Sequence, residues 1–145
     1  AMFKRADIDG VASLDIRKNL WHKLIINVGL NPVAALARLP TVVMTSSEGM
    51  KEQMKALMRE ALLVAKATGY DIADSLNLDE LVTPKKRPGS HRASMYQDVL
   101  AGRSLESEAI LGQLVELAHQ LNVPVPKCEV VLELLRGLDH SLRLN

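Results

Sequence analysis

Apolar residues recur at helical spacing along most of the chain, and strand-like alternation is nearly absent. Leu20, Leu24 and Val28 follow at four-residue intervals, and Ser13 or Asp15 could cap the helix they define. Asn31 precedes Pro32, which biases it away from α geometry. The helix is therefore expected to end or kink there, with a short helix following in "PVAALAR" and Pro32 at its first position. The best β-type run, "TVVMT" at 41–45, is too short and isolated to found a sheet. Ser46 or Ser47 could open a long helix whose apolar face carries Met50, Met54, Leu57, Met58, Ala61, Leu62 and Ala65, with Gly69 as its stop. Its methionines read as flexible core filler rather than as a partner surface.

The remaining pattern is again helical. "DSLNLDELV" is a short candidate, and residues 83–91, "TPKKRPGSH", read as an exposed basic loop. Residues 93–100 look helical, and 102–104 make a turn. Ile110, Leu114, Leu117 and Leu121 stripe a helix over 105–121. "NVPVP" interrupts the chain, and Val130, Val131, Leu134, Leu135 and Leu138 begin a last helix. The sum is about six helices in a single all-α domain, a helical bundle spanning 1–145.

Composition sharpens this picture at few points. Hydrophobic residues make up 48% of the 145, enough for a real core, while aromatics make up 3%, so aliphatic side chains must fill it. A net charge of +1 gives no global field toward nucleic acid or membrane. Cys128 is the single cysteine, so no disulfide forms within the chain, in keeping with a reducing cytoplasm. No apolar run approaches the roughly 20 residues of a membrane span. The opening "AMFKRADIDG" has no apolar stretch of the signal-peptide kind.

Candidate chemistry lies in polar groups beside apolar faces. At roughly 100° per residue, Lys23, Asn27 and Asn31 spread over about 80° of one helix and form a continuous file beside Leu24 and Val28. The plainer account is a snorkelling lysine with a surface amide and a helix-end cap. Glu106 begins the stripe of the 105–121 helix. It is either a first-turn acid with Ser104 as cap or a carboxylate at the core edge able to partner a cation. Ser94 in "SMYQD" is either a cap or a hydroxyl offered to an anionic ligand. His22, His91, His119 and His140 show no metal-ligand spacing, and the chain has no G-x-S-x-G, P-loop or G-x-G-x-x-G. Lys85, Lys86, Arg87 and Arg92 could meet phosphate, but too few aromatics accompany them to stack bases.

Taken together, "WHKLIINVGLNP", "SMYQDVLAGRSLESEAILG" and "VPVP" ahead of an apolar final helix resemble the C-terminal domain of ketopantoate reductase (2-dehydropantoate 2-reductase). The similarity covers residues 7–138, and the first two motifs are the specific ones. The resemblance implies a fold like the C-terminal domain of 6-phosphogluconate dehydrogenase, packed on a Rossmann domain that carries NADPH. It implies reduction of the C2 carbonyl of ketopantoate in pantothenate biosynthesis. Carried over by position, Lys23 matches the general acid, and Asn27 and Asn31 match amides that hold substrate. Ser94 matches the hydroxyl for the substrate's carboxylate end. Glu106 matches an acid that interacts with the lysine and with bound ligand, cofactor included. The sequence departs from the family where Thr-Glu-Ile-Asp is common and Leu105, Glu106, Ser107 and Glu108 stand here. No glycine-rich phosphate turn is present, so NADPH is expected only with a Rossmann domain supplied in cis or in trans. The expected ligand is a 2-oxo acid, with neither nucleic acid nor membrane as partner. The alternative is a stand-alone helical interaction module that forms a homodimer or binds another chain without catalysis.

Overall fold

The computed structural model describes residues 15–83 and 92–144. They form seven α-helices: α1 Ile16–Ala37, α2 Thr41–Met44, α3 Glu48–Ala67, α4 Leu78–Leu81, α5 Ser94–Leu100, α6 Gln113–Gln120 and α7 Pro126–Arg143. A 3₁₀ turn, Ala73–Ser75, precedes α4, and a π-helical turn, Glu108–Gly112, runs into α6. No strand occurs among the described residues, so the chain is all-α as expected, and the "TVVMT" run is one helical turn behind Pro40. No helix among them is long and apolar enough to cross a membrane. The basic loop at 84–91 and Ser13 lie outside the described residues.

α1 is the central element and packs on α3, α5, α7 and the π turn. The Asp15 carboxylate caps it, accepting from the Lys18 N–H at 3.0 Å. The expected break at Asn31–Pro32 does not occur. One helix continues through Pro32 to Ala37 and stops where Arg38 turns left-handed at φ 54°. Pro32 has no N–H for the Val28 carbonyl, a defect of roughly 3 kcal/mol in an exposed helix. Here Val28, Gly29, Asn31, Pro32, Ala34 and Ala35 are all buried. Each large apolar side chain so removed from water contributes about 1.5–3 kcal/mol, and that packing outweighs local preference.

Gly29 sets how closely α1 and α3 approach. A Cβ there would lie 2.4 Å from Met58 Cε and 3.0 Å from the Met54 carbonyl oxygen. Across that contact α3 begins at Ser47, whose hydroxyl accepts from the Met50 N–H at 3.4 Å, and ends at Thr68 with Gly69 at φ 94°. Met54, Leu57, Met58, Ala61 and Ala65 are buried, so the methionines fill the core, while Met50 and Leu62 are half-buried.

Two carboxylates organise the C-terminal half in ways the sequence pattern did not indicate. Glu60, on the buried side of α3, accepts from the Lys127 N–H at 3.0 Å and the Cys128 N–H at 2.9 Å, and so caps α7 from another helix. Asp139, buried on α7, accepts from the Leu105 N–H at 2.7 Å, from the Ser104 hydroxyl at 3.1 Å and from Arg143. Ser104 is therefore not the cap expected for a helix starting at 105. Residues 104 and 105 are drawn to α7 instead, and regular structure begins at Glu108 with the π turn. The buried face of α7 is also rotated from expectation. Cys128, Leu132, Leu135 and Asp139 point inward, whereas Val130 and Leu134 are 61% and 55% exposed.

Candidate functional site

The polar file of α1 descends from solvent into the protein. Lys23 is exposed, Asn27 is half-buried and Asn31 is 5% exposed. Successive members stand one four-residue step apart, about 6 Å of rise, on one continuous helix. The two amides open on a cleft of about 530 Å³ whose far side is the start of α5. Ser94 lines it together with Asn27 and Asn31. Ile26 and Leu30 supply an apolar strip from α1, and Gln97 adds a third carboxamide. Thr41, brought in by the turn at Pro40, completes the polar rim with Arg92.

No described residue bonds to the Asn27 or Asn31 side chain, and no buried side-chain nitrogen or oxygen lacks a partner. The Asn31 amide therefore faces cleft space that solvent reaches, even though most of the residue is covered. Carboxamides in such a position can donate to a carbonyl or carboxylate oxygen and accept from a hydroxyl.

The five residues singled out from sequence fall into two groups. Asn27, Asn31 and Ser94 line this one cleft. Lys23 stands one turn above Asn27 on the same helix, outside the lining. Glu106 is exposed just before the π turn, between buried Leu105 and buried Ser107, and is likewise outside it. Neither Lys23 nor Glu106 enters an ion pair among the described residues. The π turn packs on α1, where Ala109 and Ile110 share a groove with Trp21 and Leu24.

Five cleft residues escaped the sequence reading as site members: Ile26, Leu30, Thr41, Ala93 and Gln97. Ile26 and Leu30 share the file's side of α1 and could have been found from the helical phase. Gln97 lies within the quoted "SMYQD" motif. Thr41 arrives through a turn with no pattern to mark it. Arg92 was noted only for its charge.

Other charged groups are occupied elsewhere. Arg136 holds both oxygens of Glu108, at 2.6 and 3.0 Å, and keeps that carboxyl below its usual range. His119 pairs with Glu129 at 2.6 Å, and His22 bonds the Ser75 hydroxyl at 2.8 Å. Burial, then the nearby Glu60 carboxylate, pushes the Cys128 thiol far above its ordinary value, and the residue is fully buried. No group of acids, histidines and cysteines among the described residues could hold a metal ion.

The chain is similar to known proteins over most of its length. Residues 15–139 match the model of the C-terminal domain of the ketopantoate reductase PanE/ApbA family. The 2-dehydropantoate 2-reductase of Mesorhizobium japonicum is 30% identical over 124 residues, covering 86% of this chain and 37% of that protein. The chain spans less than half the length of the curated relatives it matches. A dimeric ketopantoate reductase from Staphylococcus aureus superposes with a TM-score of 0.81 at 25% identity, over 98% of this chain and 52% of that one. D-mandelate dehydrogenase, solved with NADH and anilino(oxo)acetate, shares the fold with a TM-score of 0.85 at 19% identity, over 98% of this chain and 59% of that one.

Proposed function

The chain belongs to the ketopantoate reductase family, as its C-terminal part, and from that membership we propose that it forms the substrate-side half of an NADPH-dependent 2-oxo acid reductase. The substrate expected from the family is 2-dehydropantoate, and the product its 2-hydroxy acid. The observation that supports this reading best is the cleft that Asn27 and Asn31 share with Ser94, one turn below Lys23 on the same helix.

The chemistry follows from where charge develops. Addition of hydride to a carbonyl carbon leaves an alkoxide on oxygen. An ammonium close to that oxygen stabilises the charge and gives up its proton, and this role is assigned to Lys23, one turn above Asn27 on the same helix. Asn27 and Asn31 orient the substrate with neutral donors whose spacing the helix fixes. Ser94 meets the carboxylate end, and Glu106 takes part near the lysine and the bound ligand.

NADPH, when bound, supplies the hydride. The described residues contain no strand and no glycine-rich turn to cradle its diphosphate, so they do not fit that cofactor by themselves. Its binding is assigned to a nucleotide-binding domain joined to this one or supplied to it.

The test is to supply such a domain and follow NADPH oxidation with 2-dehydropantoate and other branched 2-oxo acids. Lys23→Ala is expected to lower kcat by about 10²–10⁴-fold, the usual range for a lost general acid. Turnover unchanged in that variant would remove the acid role. A chain that dimerises yet supports no reduction with any partner domain would favour the non-catalytic interaction module.

A further inference from the structure

Arg92 has no place in the roles described above, yet it lines the same cleft as Asn27, Asn31 and Ser94. It is exposed at the rim and is the one residue of that lining with a formal charge. No ion pair among the described residues involves it. Its main chain is anchored, because the Gln97 amide, itself in the lining, donates to the Arg92 carbonyl at 2.9 Å. The guanidinium is thus carried by an anchored turn, two residues before Ser94, at a site otherwise lined by neutral groups. Opposite stands the apolar strip of Ile26 and Leu30, one helical turn apart on α1.

A cleft with one unpaired guanidinium, three carboxamides, hydroxyls and an aliphatic strip suits a small monoanion with a branched hydrocarbon part. We propose that Arg92 is the charged anion-recognising residue of this cleft, taking, beside the Ser94 hydroxyl, the carboxylate of a branched 2-oxo acid whose alkyl group lies against Ile26 and Leu30. Guanidinium matches carboxylate because its planar fork presents two parallel N–H donors, which an ammonium cannot do. This assignment rests on the functional reading given above and extends it to the determinant of substrate class.

The experiment titrates the chain with 3-methyl-2-oxobutanoate and with its uncharged carboxamide. It follows the side-chain amide signals of Asn27, Asn31 and Gln97 by NMR in the wild type, Arg92→Met and Arg92→Lys. The acid is expected to bind Arg92→Met roughly 10- to 100-fold more weakly, the span for one lost charge-assisted partner. Arg92→Lys should fall between, and the carboxamide should bind wild type and Arg92→Met alike. Equal affinity of both proteins for the acid would overturn the role of Arg92. Absence of any response of the three amides would overturn the cleft as the anion's site. Arg92-dependent binding of NADP⁺ alone would overturn the assignment to a carboxylate.

With a nucleotide-binding domain supplied, Arg92→Met should raise KM while kcat stays within about twofold, because the lost contact serves ground and transition state alike. If Arg92-dependent binding holds but no 2-oxo acid is reduced, the functional reading fails while the ligand class stands.

Discussion

At the scale of single residues, function and stability make opposite demands on one helix. Asn31 keeps an amide directed at solvent-reachable space while the residue is 5% exposed, and Gly29, two positions earlier, has no side chain at all. Alanine at 29 would gain about 1 kcal/mol in helix propensity. It would also place a methyl 2.4 Å from Met58 Cε and 3.0 Å from a main-chain oxygen of α3. Met58 is itself fully buried, so it has nowhere to swing, and overpacking of this kind costs about 1–3 kcal/mol. Gly29→Ala is therefore expected to destabilise by up to about 2 kcal/mol, once that propensity gain is set against the clash. Urea denaturation measures this directly, and an unchanged or higher midpoint would show that α3 relaxes away. Because Gly29 and the cleft share α1, any shift of the helix should also disturb the Asn27 and Asn31 amide signals.

At the scale of elements, α7 depends on a group that is remote in sequence. Val125 gives no side-chain cap, and Pro126 at the first helical position has no N–H to satisfy. The next two donors, Lys127 and Cys128, both go to Glu60 on α3. A buried carboxylate facing two N–H groups at a helix start gains from both hydrogen bonds and dipole, about 1.5–3 kcal/mol for bonds to a charged partner. Glu60→Ala is expected to lose that amount. Glu60→Gln should lose part of it, because one oxygen becomes an N–H₂ facing another donor. Cys128 supplies a second measurement. Its buried thiol should react with a soluble thiol reagent faster in Glu60→Gln than in the wild type, since the start of α7 opens more often and the carboxylate that holds the thiol protonated is gone. Equal labelling rates and equal denaturation midpoints would show that the cap contributes nothing.

At the scale of the whole molecule, the helical class and the long helices were legible because their apolar period is local. Ser47, Asp15 and Gly69 mark helix ends by side chains that act within three residues. Asn27, Asn31 and Ser94 were legible through motifs, but their meeting in one cleft is a matter of how α5 packs on α1. What escaped was decided by groups distant in sequence. Burial carried α1 through Pro32, Glu60 replaced a local cap on α7, and Asp139 drew residues 104 and 105 away from the helix start that their pattern suggested.

Asp139 gives that long-range tie a pH signature. Burial pushes its carboxyl up, but the Leu105 N–H, Arg143 and the Ser104 hydroxyl together outweigh this and hold it below the usual aspartate range. A carboxyl whose pKa is lower folded than unfolded adds stability that is complete above about pH 4 and is lost as pH falls through the folded value. Exposed pairs such as Lys55–Asp79 at 2.7 Å and Lys66–Asp71 at 2.8 Å lower their acids too, and contribute to the same acid limb. Salt separates the two, since it screens exposed pairs far more than a covered one. In high salt, Asp139→Asn is expected to be less stable than the wild type at neutral pH. The two curves should converge as pH drops below about 4, where the wild-type carboxylate takes up its proton. Curves that stay parallel to the acid end would mean that the Leu105 and Ser104 contacts survive protonation, and that the charge of Asp139 does not hold the turn before the π helix onto α7.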